Sequence, residues 1–259
     1  MIAGDRVVAF FERAVTRERV RAYQGMLAAV FALIAVANFA GGKGLLDASG
    51  NVIGADFLEF YTGGRLLAED RLASAYDAGE GFSFPAQRAL QESLLAPQRL
   101  PGVHPFVNPP HAALFYAPFA ALDYRTAAAA WLAAGLGLLA LAVHRFRGAF
   151  EALSQWRFAR VFGVCFLFVP TMAWLGYGQI SSLTLWLYTE AYLSLRRGRD
   201  ATAGLWLGCL AYKPQLAIAL GVALLVAGRW RAVVAGGACA SLWLGIGVAI
   251  DPDAMAAYL

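Results

Sequence analysis

Two acidic residues three positions apart, Asp56 and Glu59, are the strongest candidates for chemistry in this sequence. They stand where a long polar segment meets a helical pattern of apolar residues, and this spacing allows two roles. Asp56 could cap the start of the helix by accepting amide hydrogen bonds, with Glu59 as the second member of a capping box. Alternatively, the helix start could hold an ionised carboxylate in place, and a general base that deprotonates a hydroxyl group requires such a carboxylate.

Two cations are candidates to act with these carboxylates. Lys213 interrupts a long apolar stretch, and an ionisable residue at such a position favours a functional role, here as a compact charge that meets a phosphate. The alternative is a lysine that extends to the membrane surface. Arg65, which we place one helical face along from Asp56, could assist, or it could be an interfacial anchor.

Three further polar residues are candidate substrate contacts, namely His104, Asn108 and Gln179. The spacing between His104 and the next histidine matches no zinc motif, so we predict no metal site and no cofactor. Gln179 either satisfies backbone groups at a tight turn or donates a hydrogen bond to a sugar hydroxyl.

The composition identifies a membrane protein. Of the 259 residues, 60% are hydrophobic and only 15% are charged, which is unusual for a water-soluble domain of this size. Apolar runs of about 20 residues recur and lack the period-two alternation of barrel strands, so we predict an all-α polytopic bundle. The net charge of +4 comes from arginines clustered between apolar runs, a pattern that reflects topology rather than nucleic-acid binding.

Residues 1–22 are predicted to form an amphipathic basic segment on the cytoplasmic membrane surface, and residues 23–259 to form a single transmembrane domain. A cleaved signal peptide is the alternative for the first span. We predict a long loop with short helices at residues 42–111. The predicted spans cover residues 23–41, 126–144, 158–175, 180–195 and 232–250, with a hairpin at 201–228 that is broken at Lys213.

The distribution of arginines sets the predicted orientation. Because basic connectors favour the cytoplasm, the N-terminus is placed inside and the loop 42–111 outside, in the inner (plasma) membrane. A single tilted span at 201–228 would place Arg229 outside, so the broken hairpin fits the charge rule better. All the candidate residues then lie toward the outer face. The chain stops at Leu259 without a polar tail, which suggests that the complete protein continues.

Several short motifs, taken in order, resemble glycosyltransferase family 87, the bacterial polyprenol-phosphate-mannose-dependent mannosyltransferases of the GT-C superfamily. The resemblance extends from about residue 24 to the end. It rests on Asp56-Phe57 with Tyr61, Tyr76-Asp77, Asn108-Pro109-Pro110 followed by Ala117-Pro118-Phe119, Gly178-Gln179-Ile180-Ser181, and Ala203-Gly204 leading to Lys213-Pro214-Gln215-Leu216.

The resemblance implies a GT-C-like fold with an extracytoplasmic active site. It also implies metal-independent, inverting transfer of a hexose, mannose in that family, from a polyprenyl-phosphate sugar to a glycan or glycolipid acceptor. Asp56 matches the family's catalytic aspartate, which makes Glu59 a structural or acceptor-binding residue. Two alternatives remain: a transporter or flippase for a lipid-linked or anionic substrate, because carriers also use broken helices, and a non-catalytic homologue.

Overall fold

The computed structural model describes residues 15–259, and within this range the protein is an all-α membrane bundle, as predicted. It is 76% helical and has no strand in the described range beyond isolated bridges in residues 43–52. The predicted basic segment lies largely outside the described residues. The helices are α1 (Arg17–Gly41), α2 (Ala55–Ala68), α3 (Pro85–Leu95), α4 (Ala113–Ala120), α5 (Tyr124–Ala149), α6 (Glu151–Ser154), α7 (Phe158–Phe166), α8 (Val169–Tyr177), α9 (Ser181–Arg196), α10 (Asp200–Gly208), α11 (Pro214–Val226), α12 (Trp230–Ile250) and α13 (Pro252–Tyr258), with 3-10 turns at Leu72–Tyr76, Glu80–Phe82, Pro110–Ala112 and Cys209–Tyr212.

In the described part of the chain, three helices are long and apolar enough to cross a membrane alone, namely α1, α5 and α12. Helices α7 and α8 qualify together, but they are bent by 69° where one straight span is predicted. Pro170 explains the bend, because a continuous helix would push its ring against the carbonyl group of Phe166. Helix α7 accordingly ends at Phe166.

Ion pairs hold one end of the bundle. The guanidinium group of Arg145 on α5 donates two hydrogen bonds to the carboxylate of Glu190 on α9, each 2.7 Å long. Arg229, just before α12, donates to Asp200 at the start of α10 at 2.8 Å. This ion pair brings the start of α10 close to the residues that follow α11, and the chain between the two helices is interrupted at Lys213.

The opposite end of the bundle carries the helices of the predicted loop. The amide of Gly54, before α2, donates to the carbonyl oxygen of Gly176 at 3.2 Å, which joins α2 to the turn between α8 and α9. Trp131 on α5 donates to the carbonyl oxygen of Gly178 in the same turn at 2.8 Å. Helix α13 also packs on this end, against Leu72–Tyr76. Helix α2 is therefore enclosed by segments that are distant in the sequence.

Aromatic side chains form the core around α2. Phe57 is 1% exposed and stacks on Trp131 with ring centres 5.8 Å apart. Phe60 stacks on Tyr116 of α4 with ring centres 4.6 Å apart. Such pairs contribute about 0.5–1.5 kcal/mol each beyond the area they bury. The apolar face of α2 thus fixes the direction in which its polar face points.

Helices α10 and α12 approach each other closely, because Gly208 has no side chain at the contact. A Cβ atom at Gly208 would lie 2.6 Å from the carbonyl oxygen of Gly236. Beside this contact, the Sγ atoms of Cys209 and Cys239 are 3.9 Å apart.

We therefore expect copper-phenanthroline to oxidise Cys209 and Cys239 to an intramolecular disulfide in membranes, because a small side-chain rotation brings the two sulfur atoms into bonding distance. Peptide mass spectrometry after alkylation measures the product. A Cys165→Ser background removes the third cysteine, and Cys239→Ser serves as the matched control. Complete alkylation of both thiols after oxidation would contradict the packing of α10 on α12.

Candidate active site

Helix α2 begins at a glycine and not at Asp56. Gly54 is the residue that precedes the first helical turn, and its φ of 71° lies in the left-handed region that glycine adopts at little cost. Tyr124 donates to the carbonyl oxygens of Ile53 and Gly54 at 3.2 Å and fixes this start. No side chain caps the helix, so the capping-box role of Asp56 is wrong. Asp56 lies in the first turn, half-buried, with its carboxylate outside the capping hydrogen bonds.

Glu59 lies one turn further along the same face of α2. Its Oε1 accepts a hydrogen bond from Nδ2 of Asn108 at 2.7 Å. Burial raises the pKa of Glu59 to about 7, while the charge of Lys213 opposes the shift, Asp56 adds to it, and the Asn108 hydrogen bond opposes it. Glu59 is thus a carboxyl group that shares its surroundings with a second acid and a cation.

Lys213 reaches this face from the break between α10 and α11. Its backbone is extended (φ −141°, ψ 77°) between a 3-10 turn and Pro214, which separates the two helices. The Nζ atom lies 5.5 Å from the centre of the Phe60 ring, within the range of a cation–π interaction. The same ammonium group interacts electrostatically with Glu59.

His104 and Asn108 belong to one extended segment that two buried glutamines hold against α2. Gln91 accepts a hydrogen bond from the amide of His104 at 2.9 Å and donates to its carbonyl oxygen at 2.7 Å. Gln87 accepts from the amide of Phe106 at 2.6 Å. Burial lowers the pKa of the His104 side chain, and Asp56 opposes this shift. The sequence interpretation missed both glutamines, although their spacing of four on the amphipathic α3 was a usable signal.

These contacts bring five predicted residues together. We name them the carboxylate cluster, which consists of Asp56, Glu59, His104, Asn108 and Lys213. Within residues 15–259, no group of three or more histidine, cysteine, aspartate or glutamate side chains is arranged to hold a metal ion. The chemistry available to the cluster is that of carboxyl, amide, imidazole and ammonium groups.

Arg65 does not join the cluster. It lies about two and a half helical turns after Asp56 and therefore on the opposite side of α2. Its Nη2 atom donates to Glu69 at 2.8 Å, and the side chain faces a separate cleft of about 500 Å³ that Asp123 and Arg125 also line. The structure therefore places Arg65 away from Asp56 and from the rest of the cluster.

Gln179 lies at the edge of the site, in the turn between α8 and α9. Its side-chain oxygen accepts a hydrogen bond from Ser181 at 3.3 Å, and its carbonyl oxygen accepts one from Trp174. The preceding residue, Gly178, packs against the Cβ atom of Phe57, next to Asp56. The side chain of Gln179 thus has a local partner within the turn, close to the start of α2.

The fold and the cluster together define a class: an integral membrane protein whose helix bundle assembles a polar group of residues at one end. The sequence model of glycosyltransferase family 87 matches residues 106–259, more than half of the chain, and the chain belongs to this family. The family assignment makes the protein a membrane glycosyltransferase, with a sugar donor and an acceptor as its substrates. Neither the curated proteins nor the solved structures contain a match to the chain.

The family match covers only part of the candidate site. It includes Asn108, Gln179 and Lys213, and it begins after Asp56, Glu59, Arg65 and His104. The two carboxylates are therefore assigned to the site because α2 lies next to residues of the matched region. Asn108 donates a hydrogen bond to Glu59, and the Nζ atom of Lys213 lies over the ring of Phe60 on α2.

Proposed function

We propose that the protein transfers a hexose, which we expect to be mannose, from a polyprenyl-phosphate sugar to a glycan or glycolipid acceptor, with inversion at the anomeric carbon. The observation that supports this proposal best is the convergence of Asp56 and Lys213 on Glu59, which interacts electrostatically with both. One carboxylate and one ammonium group on one face of α2 provide a base for a hydroxyl group and a cation for a phosphate.

In the proposed reaction, Asp56 accepts the proton of the acceptor hydroxyl group while the oxygen of that hydroxyl group forms a bond to the anomeric carbon. The bond from that carbon to the phosphate oxygen breaks on the opposite face, so the configuration inverts. The polyprenyl phosphate leaves as an anion, which Lys213 stabilises, and it needs no proton from a general acid. Asn108 and His104 are positioned to contact the sugar or the acceptor, because both adjoin the carboxylates.

We place this site on the extracytoplasmic face of the inner membrane. The end of the bundle opposite the cluster carries Arg145, Arg147, Arg196 and Arg229. Because arginines near the ends of spans favour the cytoplasm, the cluster faces outward. A polyprenyl donor embedded in the bilayer then presents its phosphate at the level where the polar site meets the apolar helices.

Membrane vesicles test the reaction and the orientation together. Right-side-out vesicles containing the full-length protein are given labelled polyprenyl-phosphate mannose and a panel of membrane-impermeant glycan acceptors. We expect labelled product of inverted configuration, determined by NMR. Vesicles carrying Asp56→Asn give the background. Product formed from a nucleotide sugar without the lipid donor, or product confined to inside-out vesicles, would contradict the proposal.

A further inference from the structure

Glu59 is more deeply involved in the site than the sequence suggested. Its carboxylate accepts a hydrogen bond from Asn108 in the extended segment, and it interacts electrostatically with Asp56 on its own helix and with Lys213 at the helix break. The charge of Glu59 also contributes to the raised pKa of Tyr116 on α4. Glu59 is mostly buried, so each of these interactions is weakly screened by water.

Asn108 links Glu59 to the rest of the outer end of the bundle. Its side chain donates to Glu59 at 2.7 Å, while its carbonyl oxygen accepts a hydrogen bond from Tyr76 at 2.7 Å. Asn108 is 6% exposed, so loss of its acceptor would leave a buried amide without a partner. The hydrogen bond survives protonation of Glu59, because a neutral carboxyl group still offers a carbonyl oxygen.

Donor binding would change the electrostatic effect of Lys213 on Glu59. In the unliganded site its positive charge favours the ionised form of Glu59 against the effect of burial. A sugar phosphodiester carries one negative charge over the whole range near neutral pH. When such a phosphate pairs with Lys213, it offsets the positive charge that Glu59 experiences, and the ionised carboxylate loses its main stabilising neighbour.

We propose that Glu59 is a positioning residue that holds Asn108 in the site and takes up a proton when an anionic sugar phosphate binds to Lys213. This inference rests on the proposed function, because it takes the donor phosphate to Lys213. Proton uptake removes one of two neighbouring negative charges as the phosphate enters. Asp56 then remains as the carboxyl group that faces the acceptor hydroxyl group.

The sign of the pH dependence follows from this exchange. The free protein has a Glu59 pKa of about 7, and bound donor raises that pKa further. Below about pH 7 Glu59 is protonated with or without donor, so the donor KM is constant. Above that pH, donor binding must take up a proton, and the donor KM rises by up to about tenfold per pH unit.

The other titratable group near the carboxylates is His104, which faces Asp56 from the extended segment. Burial lowers the pKa of His104, so this imidazole is neutral in the pH range where the donor KM rises. Tyr116 titrates well above that range, because burial raises its pKa. The expected change in KM above pH 7 therefore belongs to Glu59.

Glu59→Gln separates this role from a merely structural one. Glutamine keeps an oxygen for Asn108 and resembles the protonated acid, so we expect the donor KM to become low and independent of pH. Donor KM and kcat are measured from pH 6 to 9 with polyprenyl-phosphate mannose. Glu80→Gln, at an exposed glutamate in the loop, is the matched control and should retain the wild-type pH profile.

A second measurement needs no variant. Calorimetry of polyprenyl-phosphate mannose binding to the wild-type protein, in buffers of different ionisation enthalpy, should show uptake of close to one proton at pH 8. A flat KM profile in the wild type, a profile that persists in Glu59→Gln, or binding without proton uptake would overturn the role of Glu59 while leaving the transfer reaction intact. Absence of transfer from every polyprenyl-phosphate sugar would instead refute the proposed function, and the inference with it.

Discussion

Replacing Asp56 with asparagine is expected to lower kcat for sugar transfer by about 10³-fold. A correctly placed general base contributes about 10²–10⁴-fold to a rate, and asparagine cannot accept the hydroxyl proton. The loss corresponds to about 4 kcal/mol of transition-state stabilisation. Initial rates with polyprenyl-phosphate mannose and a saturating acceptor, in membranes containing the full-length protein, measure it.

The structure also predicts that this variant folds. The Asp56 carboxylate is not a cap for α2, so the substitution removes its interaction with the helix dipole, about 0.3–1 kcal/mol, and its electrostatic interactions with Glu59 and His104. The melting temperature in detergent should therefore fall by a few degrees at most. Asp70→Asn is the matched control, because Asp70 is exposed just beyond the end of α2 and has a φ of 53°, which asparagine also accepts. Undiminished transfer by Asp56→Asn would show that another group is the base.

The start of α2 shows which features of the candidate site could be predicted from the sequence and which could not. The Asp-x-x-Glu spacing is compatible with a capping box, but the left-handed Gly54 starts the helix earlier and places Asp56 inside the first turn. The glycine was visible in the sequence, whereas the contacts that stabilise this start were not. Tyr124 and Gly176 supply these contacts, and both lie far from α2 along the chain.

The all-α membrane class was predictable for a different reason. Long apolar runs determine helices directly, because the bilayer leaves no other partner for their backbone groups. The same local reasoning fails for Glu59, whose partners Asn108 and Lys213 come from other segments. Arg65 is the opposite case, because the helical period alone could have placed it across α2 from Asp56.

Replacing Lys213 with methionine is expected to lower kcat/KM for the donor by about 10²-fold. Methionine keeps most of the apolar stem but removes the ammonium group, and a hydrogen bond to a charged group contributes about 1.5–3 kcal/mol. The effect should appear in both kinetic parameters, because the phosphate carries charge in the bound donor and gains more as it leaves. Lys213→Arg should recover only part of the loss, since its planar group does not reproduce a compact charge.

The response of Glu59 separates a kinetic effect of Lys213→Met from an effect on folding. Without the lysine, the pKa of Glu59 rises further, so Glu59 is neutral at pH 7 and no unpaired charge is left in the core. The variant should therefore melt close to the wild type, and the kinetic loss can be assigned to the phosphate contact. Lys43→Met provides the control, because Lys43 is the other lysine of the sequence and is exposed in the loop. An unchanged donor KM and kcat in Lys213→Met would mean that this lysine serves only the membrane interface, and the phosphate site would have to lie elsewhere.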